Sequence, residues 1–239
     1  MVGLVETMLG SSEKVESAMT RSWRIRKALL VCGIAGPLLF VATDILAGTR
    51  WKGYGFVSRS ISELSAVGAP TRPLVVPLNL AAEALLIAFA LGVWGLAGRS
   101  RSARVTAVML FGSAAFQLMG AFYPVHLGES LTTPANTVNT VLIGTSVLFL
   151  MLAIGFGAVA QRGWFRLYSV VTFLVFALAG VLATRHNPVV LAGQRGPLVG
   201  AQERSMMYGC MLWVALLAIV LPSNRRSFPG RTEASAGKR

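Results

Sequence analysis

Six long apolar runs separated by short polar connectors make up most of this chain. They cover residues 27–48, 74–97, 103–123, 136–160, 163–184 and 204–221. A helix needs about 20 apolar residues to cross roughly 30 Å of hydrocarbon, so the pattern predicts an all-α fold, an integral membrane bundle of six transmembrane helices. The connectors are too short to hold a separate catalytic domain. The expected organisation is a cytoplasmic leader over 1–26, the six-helix domain over 27–221 and a basic cytoplasmic tail over 222–239. The leader lacks the basic start, apolar middle and small-residue cleavage site of a signal peptide and is expected to be loosely ordered.

The connector over 54–73, YGFVSRSISELSAVGAPTRP, is the longest polar and turn-rich interruption between spans one and two. Ser60 precedes Glu63 by three positions, the spacing at which a hydroxyl and a carboxylate satisfy each other's free amides at a helix start. A short outer-surface helix is therefore expected from Ser60, with Val57, Ile61 and Leu64 as its oily side and Gly68 and Pro70 as stop signals. Two readings stay open for it. It is a lid or floor over a site lined by Arg59, Ser62 and Glu63, or an ordered loop whose polar groups only cap a helix.

Composition places the chain in lipid. Hydrophobic residues make up 54%, charged residues 13%, and the mean hydropathy is +0.65. The net charge of +13 raises nucleic acid as a partner, but the cations sit at span ends instead of clustering on one folded face. Of the 22 Lys and Arg, fifteen fall in the leader, the second and fourth connectors and the tail, against seven on the other side. Cytoplasmic segments carry such an excess, so a multi-pass protein of the plasma membrane with both termini cytoplasmic is expected, its basic ends anchored to anionic lipid. Trp51 on one side, and Trp23, Trp94 and Trp164 on the other, fit an interfacial belt.

Polar residues inside the apolar runs mark candidate chemistry. Asp44 lies near the outer end of the first span, which also carries the helix-bending Pro37. Asn79 and Glu83 are four apart on the second, hence on one helix face. Glu83 falls close to the bilayer centre, where an ionisable group faces the bundle interior and is paired or neutral; Arg59, Arg204, Asn79 and Gln117 are its candidate partners. Gln117 on the third span and Asn136, Asn139 and Thr140 on the fourth extend the theme, with hydrogen bonding between helices as the plain alternative. His126 and His186 follow spans three and five. They lack the further ligands that haem or a metal would need, so no cofactor and no metal is expected. Cys32 and Cys210 both fall in spans and form no disulfide framework. No Walker loop, dinucleotide fingerprint or nucleophile elbow is present.

Gly33-Ile34-Ala35-Gly36-Pro37, then Ser60-Ile61-Ser62-Glu63-Leu64 with Gly68-Ala69-Pro70, together with the six-span layout, resemble the domain-of-unknown-function family 998. That resemblance implies a bacterial or archaeal membrane protein and supplies no activity. The family commonly has an acidic residue after the proline ending its third span. Pro124-Val125-His126 stands there in this chain, so no carboxylate role carries over to that position.

Five of the nine acidic residues, Asp44, Glu63, Glu83, Glu129 and Glu203, fall in the predicted outer half. The resulting expectation is an outward-opening polar pocket roofed by the first connector, with Asp44, Arg59, Ser62, Glu63, Asn79, Glu83, Gln117, His126, Asn139 and Glu203 as candidate ligand-binding residues. Its partner would be a membrane lipid or small amphiphile, with no nucleic acid. A binding or scaffold role in the envelope needs only the pocket. A proton-coupled transporter would use Glu83 as its carrier, although inverted repeats are not evident. A lipid-modifying enzyme would need His126 or a carboxylate as acid or base, and no nucleophile and base pair is recognisable.

Overall fold

The computed structural model describes residues 2–127, 133–185 and 197–223, and their side chains from residue 24 on, apart from 135, 180–185 and 223. Six α-helices follow one another: α1 (Val2–Arg50), α2 (Arg72–Leu96), α3 (Arg101–Gly120), α4 (Pro134–Ala160), α5 (Trp164–Arg185) and α6 (Val199–Ser223). No strand occurs among the described residues. Five helical segments are long and apolar enough to cross a membrane: Arg24–Arg50 within α1, all of α2 and α3, Asn136–Ala160 of α4 and Val199–Pro222 of α6. In α5 the apolar stretch reaches from Trp164 to Ala179, the last residue of that helix whose side chain is described. Exposed Leu38, Leu91, Val141, Val159, Leu174 and Ile219 give the bundle an oily exterior, as lipid contact demands.

Two boundaries differ from the sequence expectation by more than three residues. The leader, expected to be loosely ordered, is helical and continuous with the first span, since α1 starts at Val2. Before Pro37 that stretch contains no proline and only Gly3, Gly10, Gly33 and Gly36 as weak helix formers, so nothing stops propagation once the span has nucleated the helix. The last helix starts at Val199, ahead of the expected 204, because the first connector supplies acceptors for its opening turn. Ala201 N–H donates to the Val57 carbonyl at 3.0 Å.

Consecutive helices pack side by side, α1 on α2, α2 on α3, α3 on α4, α4 on α5 and α5 on α6, and α6 closes the ring against α1. The first connector and the starts of α2, α4 and α6 lie at one end, so α5 returns the chain from the far end. Close approach of α1 and α2 rests on small residues. A Cβ at Gly33 would run into the Phe89 ring, and one at Gly92 would stand 2.9 Å from Leu29 Cβ.

The interior is divided along its length. In the half far from the first connector, Phe89, Leu110, Ile154, Phe165, Trp213, Val214 and Leu217 form a continuous buried core. Its one polar tip is satisfied, with Trp213 Nε1–H donating to Ser169 Oγ at 2.9 Å. The half beneath the connector is more polar, and there Ala47, Tyr54, Leu64 and Val75 form only a small apolar cluster.

Candidate functional site

The first connector folds as a strap over its end of the bundle. Where a helix starting at Ser60 is expected, a single 3-10 turn, Ser62–Ser65, forms. The capping arrangement is half made: Ser60 N–H donates to Glu63 Oε1 at 3.4 Å, whereas Ser60 Oγ pairs with Ser62 Oγ at 2.9 Å. Of the three residues expected on the oily side, Ile61 and Leu64 are buried and Val57 is exposed. The strap is sewn down elsewhere. Thr71 Oγ1–H donates to the Leu64 carbonyl at 2.8 Å, and Arg72 Nη1–H to the Ser65 carbonyl at 2.5 Å. Val67 exchanges backbone hydrogen bonds with the connector after α3, its N–H meeting Val125 O at 2.8 Å and its carbonyl accepting from Leu127 N–H at 3.1 Å. Gly68 then turns the chain at φ +91°, a conformation that a side chain resists.

Arg204 holds this strap to both ends of the ring. Its Nε–H and one Nη2–H reach the two oxygens of Asp44 at 2.8 and 2.9 Å. The other Nη2–H meets the Tyr54 hydroxyl at 2.6 Å, and Nη1 donates to the carbonyls of Phe56 and Arg59 at 2.6 and 2.9 Å. All five guanidinium N–H groups are thereby occupied. Tyr208 adds a hydroxyl donor to Asp44 Oδ2, and the Tyr54 hydroxyl donates a hydrogen bond to Ser60 O at 2.7 Å. Burial pushes the Tyr54 hydroxyl up to about 12, against the opposing pull of Arg204.

This network corrects the expectation for Asp44. Its side chain is 2% exposed, is saturated by Arg204 and Tyr208, and does not line the pocket. Arg204, considered from sequence as a partner for Glu83, is spent on Asp44. Arg59, the other proposed cation, lies over the Trp51 ring at 5.0 Å and 4.0 Å from Glu63 Oε2. Glu63 itself faces Ser60 N–H and Arg59.

Below the strap lies a cavity of about 150 Å³. Ser62 and Ser65 lie in its wall on the strap side. Asn79 and Glu83 line it from α2, Gln117 from α3, Asn139 from α4, and Glu203 and Met207 from α6. Six of the ten sequence candidates, Ser62, Asn79, Glu83, Gln117, Asn139 and Glu203, therefore meet around one space, whereas Asp44, Arg59, Glu63 and His126 stand outside its lining. His126 instead donates its backbone N–H to Asn136 Oδ1 at 3.2 Å. His186 and Glu129 lie outside the described residues.

The lining groups differ in their commitments. Asn139 Nδ2 is held by the carbonyls of Gly120 and Tyr123 at 3.1 and 2.6 Å, and Glu203 Oε2 accepts Ile61 N–H at 2.9 Å. Glu83 Oε2 is shut off from solvent and accepts no hydrogen bond. The side chains of Asn79 and Gln117 have no hydrogen-bond partner among the described residues. The cavity thus offers a carboxylate and two amides with unused capacity. Arg72, at the head of α2, also lines it, a residue that the sequence reading had only as a surface charge. Among the described residues no group of three or more His, Cys, Asp or Glu is placed to hold a metal ion.

A family model described as "Protein of unknown function (DUF998)" matches residues 34–220. No curated protein and no solved structure matches the chain.

Proposed function

The chain belongs to the DUF998 family of proteins of unknown function, and from that premise we propose that it is a multi-pass membrane protein whose strapped cavity binds a lipid headgroup or the polar end of a small amphiphile, in a scaffold or envelope role. The observation that carries this reading is the unused polar capacity of Asn79, Glu83 and Gln117 around one cavity within the bundle. Polar groups at membrane depth are expensive to leave unmatched. A cavity of about 150 Å³ is smaller than the roughly 300 to 1,000 Å³ of pockets that engulf a drug-sized molecule, which suits the end of an amphiphile. Below Glu83, the buried residues Leu86, Phe89 and Val93 close the far half, which favours binding over passage across the membrane.

Six crossings fit this architecture. Helix α5 has 22 residues, about 33 Å at 1.5 Å per residue, and it bridges opposite ends of the ring. The charge distribution along the connectors supports a plasma-membrane orientation with both termini in the cytoplasm and the strap on the outer face.

The test is mass spectrometry of lipids retained after gentle extraction, comparing the wild type with Met207→Trp, which adds bulk to the cavity wall without adding charge. The variant should melt like the wild type and carry less lipid per chain. Equal lipid in both, or none in either, would exclude the cavity as a binding site.

A further inference from the structure

Glu83 lies eleven residues into α2, about 16 Å along the helix axis. Among the described residues, Arg59 and Arg204 are engaged away from it. Arg204, next in sequence to Glu203, has all its N–H groups occupied by Asp44, Tyr54 and strap carbonyls, and Arg59 rests on Trp51 beside Glu63. Arg72 lines the same cavity but holds Ser65 O through Nη1 and makes no ion pair with Glu83. Glu83 has no ion pair among the described residues, and its Oε2 is sealed without a hydrogen bond. The same cavity presents a second carboxylate, Glu203, with one oxygen used by Ile61 N–H. Asn79 stands one turn from Glu83 on the same face of α2, and Gln117 lines the cavity from α3. A carboxylate and two amide oxygens from two helices form a set of acceptors, and an ammonium group brings three donors and the missing charge.

We propose that the cavity is a site for a primary ammonium group borne on an amphiphile, with Glu83 as its counter-charge and the amide oxygens of Asn79 and Gln117 as its further acceptors. This assignment rests on the pocket reading above and adds the charge of the occupant. A lipid amine and a free alkylamine share this chemistry.

The experiment uses the full chain in a neutral detergent near neutral pH, with dodecylamine, dodecanol and dodecanoate as probes at equal concentration. Melting temperature and native mass spectrometry read the binding. Dodecylamine should bind and raise the melting temperature of the wild type, and Glu83→Gln should weaken that binding roughly tenfold or more, equivalent to about 1.4 kcal/mol. Glu63→Gln, outside the cavity, should leave it intact. Gln117→Leu provides a second reading of the same site and should also weaken dodecylamine, even if Glu83→Gln folds poorly. Dodecanol binding as well as dodecylamine, in wild type and Glu83→Gln alike, would overturn the ammonium assignment while leaving an amphiphile pocket. Preference for dodecanoate would overturn it in favour of Arg72. Failure of all three probes to bind the wild type would overturn the pocket reading with it.

Discussion

Asp44 and Arg204 are 160 residues apart in sequence and form a two-pronged ion pair, with N···O distances of 2.8 and 2.9 Å, that joins the first helix of the ring to the last. Both are buried, at 2% and 7% exposure. Removing one partner from such a pair leaves a buried charge uncompensated, at a cost of about 3 to 5 kcal/mol. Asp44→Asn and Arg204→Lys should each lower the melting temperature in detergent markedly, the lysine because its single ammonium cannot replace the five-donor fork. The double variant Asp44→Asn/Arg204→Gln should lose less than the sum of Asp44→Asn and Arg204→Gln measured singly. Additive losses in that cycle would show that the pair acts as two independent groups.

Gly200 opens α6 directly under the strap. A Cβ there would collide with the carbonyl oxygens of Phe56 and Arg59, the same atoms that accept from Arg204. Backbone cannot turn aside as a side chain can, so Gly200→Ala should displace the strap and destabilise by about 1 to 3 kcal/mol, the usual range for overpacking. Protease sensitivity of the strap is the direct readout. A variant as resistant as the wild type would contradict this packing.

The Tyr54 hydroxyl gives the strap an alkaline limit. Its folded value of about 12 lies above the ordinary 10.0, so the folded chain holds this proton more tightly than the unfolded chain does. The stabilisation is whole below about pH 10 and drains away as pH rises toward 12. Melting temperature followed from pH 9 to 12 should fall more steeply for the wild type than for Tyr54→Phe. Parallel curves would show that the hydroxyl does not report on folding.

Orientation is testable with single cysteines placed after replacement of Cys32 and Cys210. Exposed Ser58 in the strap and exposed Arg99 between α2 and α3 stand at opposite ends of the ring. On intact cells a membrane-impermeant thiol reagent should label Ser58→Cys, and should label Arg99→Cys only after permeabilisation. The reverse pattern would invert the protein in its membrane.

The polar half of the bundle was legible because Asn79, Glu83, Gln117 and Asn139 interrupt runs of apolar residues, and a polar side chain inside a span has to face inward. Helical spacing then brings Asn79 and Glu83 to one wall without knowledge of the fold. Asp44 and Arg204 were equally conspicuous, yet their pairing was hidden. It depends on which helix closes the ring, and no local pattern encodes that. Ser60 and Glu63 show the opposite failure. Their spacing is a sound local signal, but the carbonyls of Phe56, Val57, Arg59 and Ser60 are drawn toward Arg204, α6 and Tyr54, so a continuous helix gives way to one tight turn. Arg72 was overlooked because an arginine at a span end is normally a surface anchor.

The closed ring also sets a timetable for synthesis. Asp44 enters the membrane with α1 and has to wait until the ribosome has made the following 160 residues before its counter-charge exists, on the order of 10 s at ordinary elongation rates. During that interval the nascent chain carries an unmatched carboxylate near the lipid boundary. A chain truncated before α6 keeps that carboxylate without Arg204 and Tyr208, so the last helix is what completes the first.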